Sequence, residues 1–321
     1  MKYNFKITGF GNYLPSKVET SEEISKKINK SEDWIISRTG IKSRRVSEID
    51  VDEMGAIAAR EAIGNKKKPD LIINASGVPK QTIPDTSVFI QKELGYSGIP
   101  SFSVHSTCLS FITALNVAGS FIHTDSYKNI LIVSSDRGTR GRNFNEPESA
   151  SILGDAAAAV YLEKTKEDSG LIDFEMGTFP DGSDLTEVRG GGTNLHPQDS
   201  QTKFEDNLFS MKGPKVFKFT LPKVYRMISN ILKRNKLGQR DINLLIPHQA
   251  SGKAIAAYSK FGGFLDDQVM NIISDSGNCV AASLPLALVE AHKANKINKD
   301  DIVFLVGTGA GLSIASAIIK V

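Results

Sequence analysis

Cysteine is nearly absent from this chain: Cys108 and Cys279 are the only two in 321 residues. Two cysteines cannot build a disulfide framework, so a reducing, cytoplasmic setting is expected. Long apolar runs are also missing. The residues from Met1 to Phe10 lack the apolar stretch of a signal peptide. No segment approaches the ~20 apolar residues of a membrane span, and the small-residue run Ala156–Val160 is far too short. Charge of one sign is missing as well. Thirty-nine basic groups against 36 acidic ones leave +3, which argues against nucleic acid and is compatible with anionic ligands or carriers. Neither Gly9-Phe-Gly11 nor Gly307-Thr-Gly-Ala-Gly311 completes G-x-G-x-x-G between a strand and a helix, so a dinucleotide fold is disfavoured. There is no Walker A motif, and no cluster has metal-ligand spacing. A hydrophobic fraction of 40% and a charged fraction of 23% fit a globular enzyme, and the length suits two units of about 150 residues.

What is present is a faint internal echo. Asp70–Ala75 (DLIINA) returns as Asn243–His248 (NLLIPH) 173 positions later, and Asn129–Ser134 (NILIVS) returns as Asp301–Val306 (DIVFLV) at an offset of 172. Between each pair lies a polar turn followed by a small-residue helix, SVHSTCLSFITAL and then IISDSGNCVAASLPLAL. Two similar halves follow from this, residues 1–170 and 171–321. Strands alternating with helical patterns place the chain in the α/β class. Helices are expected over Ser21–Asn29, Val51–Ile63, Thr86–Leu94, Leu109–Thr124, Leu221–Asn235, Ser251–Phe261 and Ser283–Asn295. The last twenty-one residues, Asp301–Val321, read as two strands around a glycine turn. Asp181–Asn207, rich in Gly, Asp, Asn and Gln, reads as a long excursion on the surface or over a site.

Three residues stand where chemistry could occur. Cys108 lies at a strand-to-helix junction, where the helix dipole and free N–H groups favour a thiolate. A lone cysteine is also commonly a small buried apolar group. His248 ends an apolar strand, a place from which α/β proteins present side chains to ligands. There it can donate a hydrogen bond or shuttle a proton, or it can be a solvated loop residue. Asn278, in the turn that echoes Cys108, can donate to a developing oxyanion or simply tolerate positive φ. His105, His123, His196 and His292 lack such settings and are expected to be structural or surface residues. Cys279 is expected to pack.

Taken together, DWIISRTGI (Asp33–Ile41), STCLSF, LGDAAAAV (Leu153–Val160), VFK (Val216–Lys218), IPHQAS, SGNCVAASLPLAL and GTGAGL resemble the ketoacyl-acyl-carrier-protein synthase III family of the thiolase superfamily. The resemblance implies a duplicated, five-layered α-β-α-β-α fold and a homodimer. It implies that Cys108 takes an acyl group from acyl-CoA as a thioester. His248 and Asn278 would then hold the thioester carbonyl of a malonyl-carrier extender through decarboxylation. The N–H groups of Cys108 and Ala310 would form the oxyanion hole. Trp34 and Arg38 match positions contacting the CoA adenine, and Gly213 lies near the pantetheine. Ser251 and Thr308 join the substrate positions. Ile83 matches a residue lent across the dimer. Lys218 and Lys253 match basic positions that receive acyl carrier protein. Thioester substrates suffice for this chemistry, without cofactor or metal.

The sequence also departs from the family. Thr308 stands where a phenylalanine, thought to assist decarboxylation, is frequent. Ser251 replaces the usual asparagine of HQAN. NEPESAS replaces a region that often holds an arginine, and LGDAAAAV carries alanines for glycines. Gln81–Asp85 offers no glutamate, which counts against head-to-head condensation of two acyl chains. Specialised relatives with other donors or acceptors, of quinolone, pyrone or β-keto acid type, therefore stand as an alternative. So does acyl transfer to a non-malonyl acceptor.

Overall fold

The computed structural model describes residues 2–321. Nine strands carry the fold: β1 (Tyr3–Tyr13), β2 (Leu71–Asn74), β3 (Ser101–Ser103), β4 (Asn129–Arg137), β5 (Asp155–Lys164), β6 (Gly170–Thr178), β7 (Leu244–Pro247), β8 (Ile302–Gly309) and β9 (Ser313–Lys320). Their order is β7-β8-β9-β6-β1-β5-β4-β2-β3. The seam is short. Only Tyr3 and Asn4 of β1 pair with Leu171 and Gly170 of β6, while the rest of β1 runs along β5. The strands thus form two sheets joined at one corner.

The echo in the sequence is an echo in hydrogen bonds, although the pairing makes Ile130 equivalent to Val303, an offset of 173 and one more than the 172 read from the sequence. β2 runs parallel to β4 with Leu71 opposite Ile130, and β7 runs parallel to β8 with Leu244 opposite Val303. Asp70 accepts from the Asn129 N–H through its side chain, and Asn243 accepts from the Ile302 N–H in the same way.

Alternation along these strands explains the layers. Leu71 and Ile73 point inward with Ile130 and Ile132, and Val303 and Leu305 point inward from the other sheet. Between them lie the helices Ser110–His123 and Ser283–Lys293, through Phe111, Leu115, Leu284 and Leu288. The opposite faces are covered too. Ile72, Leu131 and Tyr161 pack against the helix Val51–Ile63, and Phe304, Val306 and Ile318 against the helices Gly213–Arg234 and Gly252–Gly262. Strands buried on both faces read as continuous apolar runs, which is why their period of two was hidden. The result is the five-layered α-β-α-β-α arrangement.

Several elements differ from expectation. The helix expected at Leu221 begins at Gly213. Pro214 sits in its first turn, where no N–H is needed, but Pro222 lies inside it. An internal proline costs a helix about 3 kcal/mol. Burial of Val224, Met227, Ile228 and Ile231 offsets that cost. The alanine run at 156–159 is strand β5, whose Ala156 and Ala158 let Ala282, Leu286 and Val289 approach closely. The helix Glu32–Thr39, capped by the Ser31 side chain, had no separate sequence expectation. Residues 181–207 form a mostly exposed excursion that returns through the pairing of Thr186–Glu187 with Ser210–Met211. No helix among the described residues is long and apolar enough to cross a membrane.

Candidate active site

Cys108 lies two residues before the helix Ser110–His123, in a tight turn. Leu109 N–H donates to the Ser106 carbonyl at 3.0 Å, and Thr107 adopts φ +51°. The Ser110 hydroxyl accepts from the Ser106 N–H at 2.9 Å and closes the turn. Cys108 is only partly covered as a residue, but its thiol is enclosed. Burial, joined by the Asp136 carboxylate, pushes that thiol up to about 12. The backbone of Ala310 and of Cys108 itself pulls the other way without prevailing. The thiolate expected from helix position is therefore not the resting form: desolvation outweighs the helix terminus.

His248 follows β7, with its N–H donating to Val306 at 2.8 Å. The residue is buried, and burial lowers the imidazole to about 4, so it is neutral at ordinary pH. Its Nδ1 is enclosed and has no hydrogen-bond partner among the described residues. Asn278 is buried as well and is held by backbone. Its N–H donates to Ile152 at 2.8 Å, and its carbonyl accepts from Gly154 at 3.0 Å. The side-chain oxygen accepts from the Val280 N–H at 2.9 Å. That assigns the amide orientation and leaves Nδ2 as the free donor end. A Cβ on Gly154 would meet the Ser276 carbonyl at 2.2 Å, so the backbone that grips Asn278 requires glycine there.

The C-terminal hairpin brings these parts together. A Cβ on Gly307 would lie 2.8 Å from His248 Cβ and 3.1 Å from Leu109. One on Gly309 would lie 2.6 Å from Thr107 Oγ1. The glycines of GTGAG thus let the hairpin pass directly over His248 and the Cys108 turn, where the Ala310 carbonyl accepts from Thr107 Oγ1 at 3.4 Å.

Asp136, at the end of β4, was not singled out from sequence. It is fully buried and accepts from Gly77 and Val78 at 2.9 Å and from Ala282 at 3.1 Å. Burial raises its carboxyl to about 7 despite these donors. It clamps the loop after β2 to the helix that follows Asn278. Its only sequence signal is a charge at the end of an apolar strand. The four other histidines are structural or exposed: His292 stacks on Phe10 at 3.9 Å, His123 tilts against Tyr3, and His105 and His196 lie at the surface.

A cleft of about 380 Å³ leads toward this cluster, lined by Trp34, Arg38, Gly213, Ser251, Lys253 and Thr308. One wall is the helix Glu32–Thr39, where Arg38 lies over the Trp34 ring at 4.9 Å and pairs with Glu148 at 3.1 Å. The other is the helix Gly252–Gly262, capped by the Ser251 hydroxyl. The walls touch backbone to backbone. A Cβ on Gly40 would sit 3.1 Å from Gly252 Cα. Two expected residues lie outside the cleft lining. Lys218 is exposed on the helix beside it, and Ile83, 80% exposed, stands on a loop of its own.

Comparison with known proteins agrees with this architecture. Residues 102–180 match the family described as 3-oxoacyl-(acyl-carrier-protein) synthase III, and residues 232–321 match that family's C-terminal domain. The β-ketoacyl-(acyl-carrier-protein) synthase III of Rickettsia rickettsii (strain Sheila Smith) is 32% identical, over 98% of this chain and 99% of its own. The one from Natranaerobius thermophilus is 33% identical, over 99% of both. The crystal structure of 3-oxoacyl-(acyl-carrier-protein) synthase III from Aquifex aeolicus VF5 superposes with a TM-score of 0.91 at 28% identity, over 99% of this chain and 100% of that one. A duplicated five-layer fold with this cysteine turn defines a thiolase-like condensing enzyme, an acyltransferase. Within that class, the chain belongs to the β-ketoacyl-acyl-carrier-protein synthase III family.

Proposed function

We propose that the protein transfers an acyl group from acyl-CoA to Cys108 and condenses it, with loss of carbon dioxide, with a malonyl thioester on acyl carrier protein. The observation that supports this reading is the close passage of the GTGAG hairpin over both His248 and the Cys108 turn, with the Ala310 carbonyl accepting from Thr107 Oγ1 at 3.4 Å. Backbone N–H groups of that turn and hairpin suit the tetrahedral oxyanion of a thioester exchange.

In the first half-reaction the Cys108 sulfur attacks the acyl carbonyl, the C–S bond to CoA breaks, and the thiol proton leaves with CoA. His248, neutral and weakly basic, is better suited to donate a hydrogen bond than to hold that proton. In the second, the malonyl C–C bond breaks and its electron pair enters the enolate. His248 and Asn278 Nδ2 stabilise the enolate oxygen. The enolate carbon attacks the acyl-Cys108 carbonyl, and collapse of the oxyanion releases the β-ketoacyl product and the Cys108 thiolate, which takes up a proton. Thioesters alone supply this chemistry, so no cofactor is needed.

Trp34 and Arg38 serve the CoA nucleotide, with Gly213 beside the pantetheine and Ser251 and Thr308 along the arm. Lys218 and Lys253, exposed and without ion-pair partners among the described residues, serve an acidic carrier. The exposed Ile83 fits burial against a second copy, so the working unit is a homodimer, of cytoplasmic location. The halves 1–170 and 171–321 divide the labour between nucleophile and second-substrate groups. Thr308 favours a second reading, a specialised synthase with a different donor or extender. Intact-protein mass spectrometry with a panel of acyl-CoAs, followed by addition of malonyl-carrier, tests both. Acylation of Cys108 without condensation from any malonyl thioester would overturn the first.

A further inference from the structure

We propose that Arg44 is a positioning residue of the second half-reaction: it holds the backbone that sets where Asn278 presents its amide. The inference rests on the condensation proposed above.

Arg44 is the middle residue of the short strand Ser43–Arg45 and is fully buried. Its guanidinium joins three separate segments. One Nη donates to the Ser151 carbonyl at 2.7 Å and to the Ser21 hydroxyl at 3.2 Å, and the other to the Glu19 carbonyl at 3.4 Å. No carboxylate pairs with it among the described residues, because Glu19 gives its own to Arg142 and Lys27. Burial, with the Arg142 cation beside it, lowers the group to about 10, which leaves it charged at neutral pH. An enclosed cation held only by neutral acceptors is a costly way to fill space, and an apolar side chain of similar volume often serves stability as well. What an apolar group cannot do is reach three acceptors in fixed directions.

Ser151 is the acceptor that leads to the site. The next carbonyl, that of Ile152, accepts from the Asn278 N–H at 2.8 Å, and Gly154 N–H donates to the Asn278 carbonyl at 3.0 Å. The stem of Arg44 braces the same place. A Cβ on Gly154 would lie 3.3 Å from Arg44 Cβ, and one on Gly277 would lie 3.1 Å from it. Two residues before Arg44, the Lys42 N–H donates to the Ser274 carbonyl at 2.8 Å. Backbone on both sides of Asn278 is thus fastened to the segment that carries Arg44. Ser151 and Ile152 also line the cleft, so a shift here moves a substrate surface together with the amide. A misplacement of about 1 Å can cost a reaction about 100-fold. The Cys108 turn is different. Ser106 and Ser110 close it, and it shares no hydrogen bond with Arg44 among the described residues.

The test compares Arg44→Lys, which keeps the charge and loses the fork, with Arg44→Met, which keeps an unbranched stem. Each is measured for acylation of Cys108 by acyl-CoA and for carbon dioxide release from malonyl-carrier per acylated site. In both, acylation should stay within about twofold of wild type, while kcat for carbon dioxide release falls about tenfold or more. The KM for malonyl-carrier should change by less than about threefold. In an Asn278→Ala background the same substitutions should cost less than about twofold further, since the group they position is gone. A merely structural Arg44 would lower the yield of enzyme that acylates and leave carbon dioxide release per acylated site unchanged. That result, or losses that multiply in the double variant, would overturn the proposal. If Arg44→Met fails to acylate, Arg44→Lys carries the comparison. Failure of the wild-type protein to release carbon dioxide from any malonyl thioester would instead overturn the condensation itself.

Discussion

Ala75 and His248 hold the same place in the two halves, 173 residues apart: Ala75 N–H donates to Val133 at 2.6 Å, and His248 N–H donates to Val306 at 2.8 Å. The backbone is duplicated and the side chain is not. A methyl group at one strand end has an imidazole as its counterpart at the other, and the same contrast sets Cys108 against the turn of Asn278. Duplication built the frame, and substitution at equivalent positions made the site.

Replacing that imidazole separates the two half-reactions. His248→Ala is expected to acylate at Cys108 but to release carbon dioxide from malonyl-carrier at least about 100-fold more slowly, the usual effect of removing an oxyanion donor. Intact mass and carbon dioxide release measure the two steps. Cys108→Ala is expected to form no acyl-enzyme.

Acid stability follows from the same residue. Unfolded, the imidazole titrates near 6.5; folded, it is lowered to about 4 by burial. The unfolded chain therefore binds more protons between pH 4 and 6.5. This contribution is complete above pH 6.5 and is lost as pH falls through that window, by about 3 kcal/mol. Asp136, raised to about 7, works in the opposite direction as pH rises from about 4 to 7. The clean measurement is thus the difference between wild type and His248→Gln in urea unfolding. That difference should shrink toward pH 4.

Asp136→Asn removes a negative charge that holds the Cys108 thiol high. The thiol should fall from about 12, and alkylation by iodoacetamide at pH 8 should quicken several-fold. One acceptor for the Gly77, Val78 and Ala282 N–H groups is lost as well, so stability should drop by about 1–3 kcal/mol. Unchanged alkylation would disprove the electrostatic link.

Gly309→Ala drives a methyl group to 2.6 Å from Thr107 Oγ1. Overpacking of this kind costs about 1–3 kcal/mol. Because the displaced parts are the Cys108 turn and the strand that leads to Ala310, activity should fall far more than stability, by 100-fold or more in kcat/KM. Thermal unfolding beside initial-rate kinetics distinguishes the two.

Trp34→Ala should raise the KM for acyl-CoA about tenfold with kcat little changed, since stacking of a base on an aromatic ring contributes about 1–3 kcal/mol. Acyl-pantetheine lacks the adenine and should show no such difference.

The parallel strands were legible in the sequence because both their faces are buried, which leaves short unbroken apolar runs such as Leu71–Ile73 and Ile302–Val306. Cys108, His248 and Asn278 stood out in the sequence because each sits where a strand gives way to a turn or helix. The sign of the shift at Cys108 was not. It depends on an enclosure completed by Ala310, about 200 positions away, and on Asp136, delivered by a different strand. The alanines of β5 carry little strand preference of their own and are held extended by their neighbours. Pro222 looks like a helix boundary until the apolar face beyond it is seen packed. The space around Tyr258 is lined from two helices, the turn after β7 and strand β8, and no local pattern announces it.

Asn278 is paired through its backbone to Ile152 and Gly154, which precede β5 in the first half. The amide proposed to meet the second substrate is therefore moored to the stretch of chain that leads into β5. Its position relative to Cys108 is set by backbone hydrogen bonds rather than by a flexible connection, so separating the two would cost those bonds.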